Sequence, residues 1–163
     1  MNEIGSKKKD EKQDNLGEIL TFFVSGKLFG VWPKDLLEIV EETEYIPVPN
    51  APDFVCGVIN SHGRVVTVTD ITKILRNENL ALGAKRRVAI INDEEFMVGM
   101  LVPADLQISF YDIGKEEIKQ DKIMQFYQNC RLTFLKEDFE ILVLERESLL
   151  TYLRDYFKTK SLA

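Results

Sequence analysis

The stretch Phe54–Ile71, FVCGVINSHGRVVTVTDI, leaves the chain little conformational choice. Phe54, Cys56, Val58 and Asn60 fall on one face of an extended strand and Val55, Gly57 and Ile59 on the other, because strand side chains alternate with period two. Ser61, His62 and Gly63 interrupt the pattern, and Arg64–Asp70 resumes it, with Val66 and Val68 set against Val65, Thr67 and Thr69. Two β-rich runs joined by a short glycine-containing link read as a hairpin. Its polar tip carries the only histidine of the chain.

The same grammar recurs along the sequence. Ile19–Val24 and Leu28–Trp32 flank Ser25-Gly26-Lys27 as a first hairpin. Pro33 suits a helix start, and Leu36, Leu37 and Val40 then have the spacing of a short amphipathic helix, with Glu38, Glu41, Glu42 and Glu44 as an acidic surface on or after it. Tyr45–Pro49 must be extended, since Pro47 and Pro49 lack ladder donors. Asp70, just before the helical spacing of Ile71, Ile74 and Leu75, reads as an N-cap rather than a catalytic acid. Beyond the polar loop Arg76–Lys85, Arg86–Asp93 and Glu95–Val102 form another hairpin, and Pro103–Ile108 reads as a short helical turn. Lys85, Arg86 and Arg87 at its entrance read as charged gatekeepers on an edge strand rather than as a nucleic-acid patch. Past the Lys- and Glu-rich loop Gly114–Lys122, Met124–Leu135 and Phe139–Leu144 make the last hairpin around Lys136-Glu137-Asp138. A final helix, Ser148–Phe157, has Leu149, Leu150, Leu153 and Tyr156 on one face.

This order of events contains a duplication: Leu20–Val40 recurs as Val88–Ile108 and Phe54–Leu75 as Phe126–Leu150, an offset of about 70 residues. A half of that size buries too little surface to be stable alone, so the halves must share an interface. Short strands with few helices escape exposed edges by closing. The fold class is therefore mainly β, as two small barrels side by side with short helices and a C-terminal helix, and the groove between them is a binding surface. Residues 1–17 read as a disordered tail, 18–158 as a single domain of two repeated barrels, and 159–163 as a C-terminal tail. The first fifteen residues are charged and lack aromatic side chains.

The 163-residue chain has a net charge of −6, which disfavours nucleic acid, whose phosphates demand a basic face. Phe22, Phe29, Phe54 and Phe96 alternate as core positions rather than lining a basic strand face for single strands. No apolar run approaches the ~20 residues that cross a bilayer, and the N-terminus lacks a signal-peptide core, so a soluble cytoplasmic protein without membrane insertion is expected. Cys56 and Cys130 belong to no zinc pattern, and no glycine opens a phosphate-binding loop. Cys56 and His62 are six positions apart, about 20 Å along an extended strand, and do not form a catalytic pair. No cofactor and no metal are expected. A small enzyme remains the competing class, and it requires a deep pocket with convergent titratable groups.

The stretches PKDLLEIVEETEYIPVPNAPDFVCGVINSHGRVVTVTDI and VGMLVPADL, with the order of elements, resemble the CheW-like domain, the adaptor of bacterial chemosensory arrays. The resemblance covers about Ile19–Leu153 and is most specific from Pro49 through Gly57 to Asp70. It implies two intertwined five-stranded barrels and a non-catalytic adaptor that links methyl-accepting chemoreceptor tips to the regulatory domain of a CheA-type histidine kinase. An adaptor of a pilus or gliding pathway fits equally. Leu36 and Glu38 match the family's apolar–x–Glu pattern, and Asn60 and Gly63 match its turn. Ser61-His62 stands where Leu-Arg is common, Thr67 where a proline is usual, and the glycine of the last hairpin is not recognisable around Gln128–Cys130. Exchanging a planar, always charged Arg for His removes bidentate carboxylate recognition, and Arg64 next to the turn supplies a charge in its place. The expected partner-binding residues are Leu36, Glu38, Val58, Asn60, His62, Gly63 and Arg64. An adaptor needs such exposed apolar and charged anchors on rigid strands rather than a tuned pocket.

Overall fold

A computed structural model describes residues 15–75, 81–93, 97–119 and 126–161. Most of the expected N-terminal tail (1–14), the tip of the Arg86–Val102 hairpin with Phe96, much of the Arg76–Lys85 loop, the end of the Gly114–Lys122 loop and the first two residues of the last expected hairpin lie outside them. Chain order is β1 (Leu16–Val24), β2 (Lys27–Val31), a 3-10 turn (Pro33–Asp35), β3 (Glu38–Glu41), β4 (Val55–Ser61), β5 (Arg64–Thr69) and α1 (Ile71–Ile74). There follow β6 (Arg86–Asn92), β7 (Met97–Pro103), β8 (Gln107–Asp112), β9 (Glu117–Ile118), β10 (Tyr127–Phe134), β11 (Glu137–Leu144) and α2 (Arg146–Ser161).

The strands form two sheets, ordered β8-β1-β2-β11-β10-β9 and β3-β6-β7-β5-β4. Matching β1, β2, β3, β4 and β5 with β6, β7, β8, β10 and β11 makes the two orders identical apart from β9. Each sheet seats a hairpin from one half beside strands from the other, and parallel contacts join them: Phe29 opposite Leu142, and Thr67 through Thr69 opposite Val98 through Met100. The halves also match in detail. Asp70 N donates to Phe54 O at 2.8 Å, and Glu145 N donates to Phe126 O at 2.7 Å, just before α1 and α2 respectively. The architecture is mainly β and intertwined, as expected, but neither sheet closes by backbone pairing, so the barrel description is approximate.

Alternation buries three layers. Between the sheets lie Phe22, Phe29 and Val31 from one and Ile91, Met100 and Val102 from the other, sealed by Leu149, Leu150 and Leu153 of α2. Each sheet also curls around a smaller core, Ile59, Val66, Val68, Val88, Ile90 and Leu101 in one and Ile19, Cys130, Leu132, Ile141 and Val143 in the other. Arg154 of α2 donates to Asp93 at 2.5 Å, tying the helix to the end of β6. The predicted cap is present, with Asp70 accepting from Thr72 N at 3.0 Å.

Several local expectations are corrected. The Leu36–Val40 stretch is no helix: after the 3-10 turn, β3 pairs antiparallel with β6, Glu38 opposite Ile90 and Glu41 opposite Arg87. A short apolar run fits either period, and the edge of β6 together with β-branched Ile39 and Val40 decides for strand. Pro103–Ile108 likewise contains a turn and the start of β8, held by β1. β1 begins at Leu16, inside the expected tail, because Leu16 and Gly17 pair with Asp112 and Tyr111. α2 runs to Ser161, into the expected C-terminal tail. The last hairpin turns at Leu135-Lys136 rather than at Lys136-Glu137-Asp138, because Glu137 and Asp138 pair with Phe134 and Thr133.

Candidate functional site

The β4–β5 hairpin turns through two residues, His62 with φ 51° and Gly63 with φ 79°. Positive φ at both positions is the hairpin turn whose twist suits the flanking strands, and histidine is among the side chains that tolerate it. Asn60 Oδ1 accepts from Gly63 N at 2.9 Å, which fixes the tip from within.

A second anchor comes from β3. Glu38 Oε1 accepts from Ser61 Oγ at 2.9 Å, and Glu38 Oε2 lies 3.3 Å from His62 Nε2. Glu38 thus spans the seam between β3 and β4, the two edges of the five-stranded sheet, and holds the hairpin tip against it. Ser61 is buried, whereas His62 is exposed. Arg64, also exposed, directs Nη1 toward Met97 Sδ at 4.0 Å.

The outer face beside this tip is apolar. Val65 is 66% exposed and Ile46 61%, and Ile46 exchanges two 2.9 Å backbone hydrogen bonds with Val58, adding an extended rung to the edge of β4. Gly57 makes that rung possible: its φ is 143°, and an added Cβ would stand 2.7 Å from Ile46 O and 2.8 Å from Tyr45 Cβ.

Of the seven residues expected from sequence, Glu38, Asn60, His62, Gly63 and Arg64 meet at the tip. Leu36 packs partly buried against the central core, and Val58 is half-buried on the strand beside Ile46. Val65 and Ile46 are not among the residues expected from sequence. The exposed face of Val65 follows from its alternation with buried Val66, but the approach of Ile46 depends on a tertiary bridge.

The acidic residues of β3 and its continuation are engaged. Arg86 Nε and Nη2 donate to Glu42 at 3.0 and 2.6 Å, Tyr45 Oη donates to Glu42 at 2.7 Å, and Arg87 pairs with Glu41 at 3.3 Å. Burial alone would raise the Glu42 carboxyl, but hydrogen bonds from Arg86 and Tyr45 and the Arg86 charge outweigh it, and its pKa lies below the ordinary value. Arg86 and Arg87 of the basic cluster are thereby paired across strands, and their strand, β6, lies inside the sheet between β3 and β7 rather than at the expected edge. Burial, then the Asp70 charge, pushes the Cys56 thiol up, away from the reactive thiolate. Among the described residues no group of three or more His, Cys, Asp or Glu could hold a metal ion, and no helix is long and apolar enough to cross a membrane.

Comparison with known proteins gives this arrangement a context. The chain is 28% identical over 85 residues to the chemotaxis protein CheW of Bacillus subtilis, covering 52% of this chain and 54% of that protein. It is 27% identical over 81 residues to protein PilI of Pseudomonas aeruginosa, covering 50% and 46%. The chain thus spans about half the length of the curated relatives it matches. The crystal structure of the scaffolding protein TtCheW from Thermoanaerobacter tengcongensis superposes with a TM-score of 0.65 at 20% identity, over 78% of this chain and 88% of that one, which establishes a shared fold. The family model for the CheW-like domain matches residues 18–120, from β1 through the Glu38–His62 tip to the end of β9. The chain belongs to the CheW-like domain family.

Proposed function

We propose that this chain is a non-catalytic cytoplasmic adaptor, recruited to receptor arrays, that couples methyl-accepting chemoreceptors to a CheA-type histidine kinase. The β4–β5 tip docks the kinase regulatory domain, with Arg64 and His62 as polar anchors and Val65, Val58 and Ile46 as the apolar floor. Leu36 belongs to the same docking surface as the tip, and an amphipathic receptor helix binds separately by helix-in-groove recognition. One domain comprises everything from β1 through α2.

The observation that carries this reading is the double tether of the tip. Glu38 and Asn60 hold it rigid while His62 and Arg64 stay exposed, so docking costs little ordering entropy. Kinase pull-down with Arg64→Glu and Val65→Asp tests it, with circular dichroism to verify folding. Both variants are expected to fold and to lose kinase. Retained capture by both would refute the docking role. A second reading, an adaptor of a pilus or gliding pathway, is favoured by the match to PilI at 27% identity beside 28% to CheW. It predicts capture of a different kinase through the same tip.

A further inference from the structure

Leu135 combines two costs that evolution normally avoids. It turns the β10–β11 hairpin with φ 49°, followed by Lys136 at 68°, in a place where Asn or Gly is favoured, and its side chain is 95% exposed. The equivalent turn of the first half, His62-Gly63, has residues suited to that geometry. Leu135 stands at the lip of a cavity of about 320 Å³, the open end of the six-stranded sheet, walled by Phe23, Leu28, Phe110, Phe134 and Phe139. Phe134 and Phe139 meet edge to face at 5.7 Å, and Thr21 and Ser109 share a 2.7 Å hydrogen bond on the wall.

The size and shape of this patch select its occupant. Phe23, Phe110, Leu135 and Phe139 are 59%, 52%, 95% and 39% exposed, equivalent to two and a half large side chains, or about 500 Å² at about 200 Å² each. Much of that area lies outside the cavity, where a small ligand would stay wet. A stable interface takes about 800 Å² per partner, so this apolar centre would fill roughly 60% of it, near the value for homodimers. Knob and hole are neighbours on one surface, and so are the exposed charges Lys136 and Glu137. That is the composition of an isologous, self-complementary contact.

We propose that the open end of the six-stranded sheet is an interface between two copies of this chain, each Leu135 entering the partner's aromatic cavity. With room for roughly ten waters by liquid volume, the cavity admits a leucine side chain. Lys136 of one copy then faces Glu137 of the other. The Glu38–His62 tip belongs to the other sheet and stays free, so the dimer presents two tips and gains avidity toward any array of partners.

Sedimentation equilibrium of the full chain over a hundredfold concentration range tests this. The wild type is expected to move from 18.8 kDa to twice that mass. Leu135→Asn removes the knob while suiting positive φ better, so it should fold at least as well and dissociate at least tenfold more readily. Phe23→Thr attacks the hole from a strand position and should behave alike. A wild type that stays monomeric throughout, or variants that dimerise as tightly as wild type, would overturn the proposal. So would a monomeric wild type that loses kinase or a small apolar probe on Leu135→Asn, since the patch would then serve another occupant.

Discussion

At the scale of single residues, fixed backbone geometry and paired charges matter more than hydrophobicity. Gly57 must sit at φ 143° beneath the Tyr45–Ile46 backbone. Gly57→Ala adds both a strained φ, worth about 1–3 kcal/mol, and a clash with main chain that cannot swing away. A loss of about 2–4 kcal/mol, read from the urea midpoint, is expected. Glu42 gives a pH signature. Its folded pKa is depressed from the ordinary 4.5, so its contribution is complete above that value and is lost as pH falls through the lower folded pKa. Acid titration of unfolding should show this loss below pH 4.5 in the wild type, and Glu42→Gln should flatten it. The tip was legible at this scale because Asn60, His62, Gly63 and Arg64 are contiguous in sequence. Glu38 came from the family pattern, and its bond to buried Ser61 spans two sheet edges that no local pattern brings together.

At the scale of elements, pairing overrides local spacing. Leu36, Leu37 and Val40 carry a helical period, yet the open edge of β6 draws this stretch into β3, and Leu37 N already donates to Ile90 O at 2.8 Å. The same happens at β8. Hairpins were readable because alternation and turn residues coincide within a few positions. The three missed strands, β3, β8 and the two-residue β9 inside the expected Gly114–Lys122 loop, are edges; the partners of β3 lie 46 to 52 residues away and those of β8 at the start of the chain. α2 behaves as its pattern implied: Leu149, Leu150 and Leu153 are fully buried under both sheets. Leu150→Ala should therefore cost about 2–5 kcal/mol. An exposed substitution on the same helix, Thr151→Ala, should stay within about 0.5 kcal/mol. Thermal unfolding of the two variants compares them directly.

At the scale of the whole molecule, the duplicated halves are exchanged rather than stacked. β1 and β2 sit between β8 and β11, and β6 and β7 sit between β3 and β5, so each half places its hairpin inside the sheet of the other. The sequence repeat pointed to two mutually dependent units, but the exchange lies in long-range pairings such as Phe29 with Leu142 and Val68 with Gly99. It has a direct consequence. Cut within the Arg76–Lys85 loop, either fragment would expose the inner edges of its hairpins and the apolar faces that now meet between the sheets. Neither fragment retains a closed core, so each alone should lack the dispersed amide spectrum of a folded protein. Mixed in equal amounts, they should recover the β-sheet circular dichroism of the intact chain, because every interface between the sheets re-forms without the loop. A first-half fragment that folded by itself would show that the exchange is dispensable, and the paired sheets would then be separable domains rather than one interlocked body.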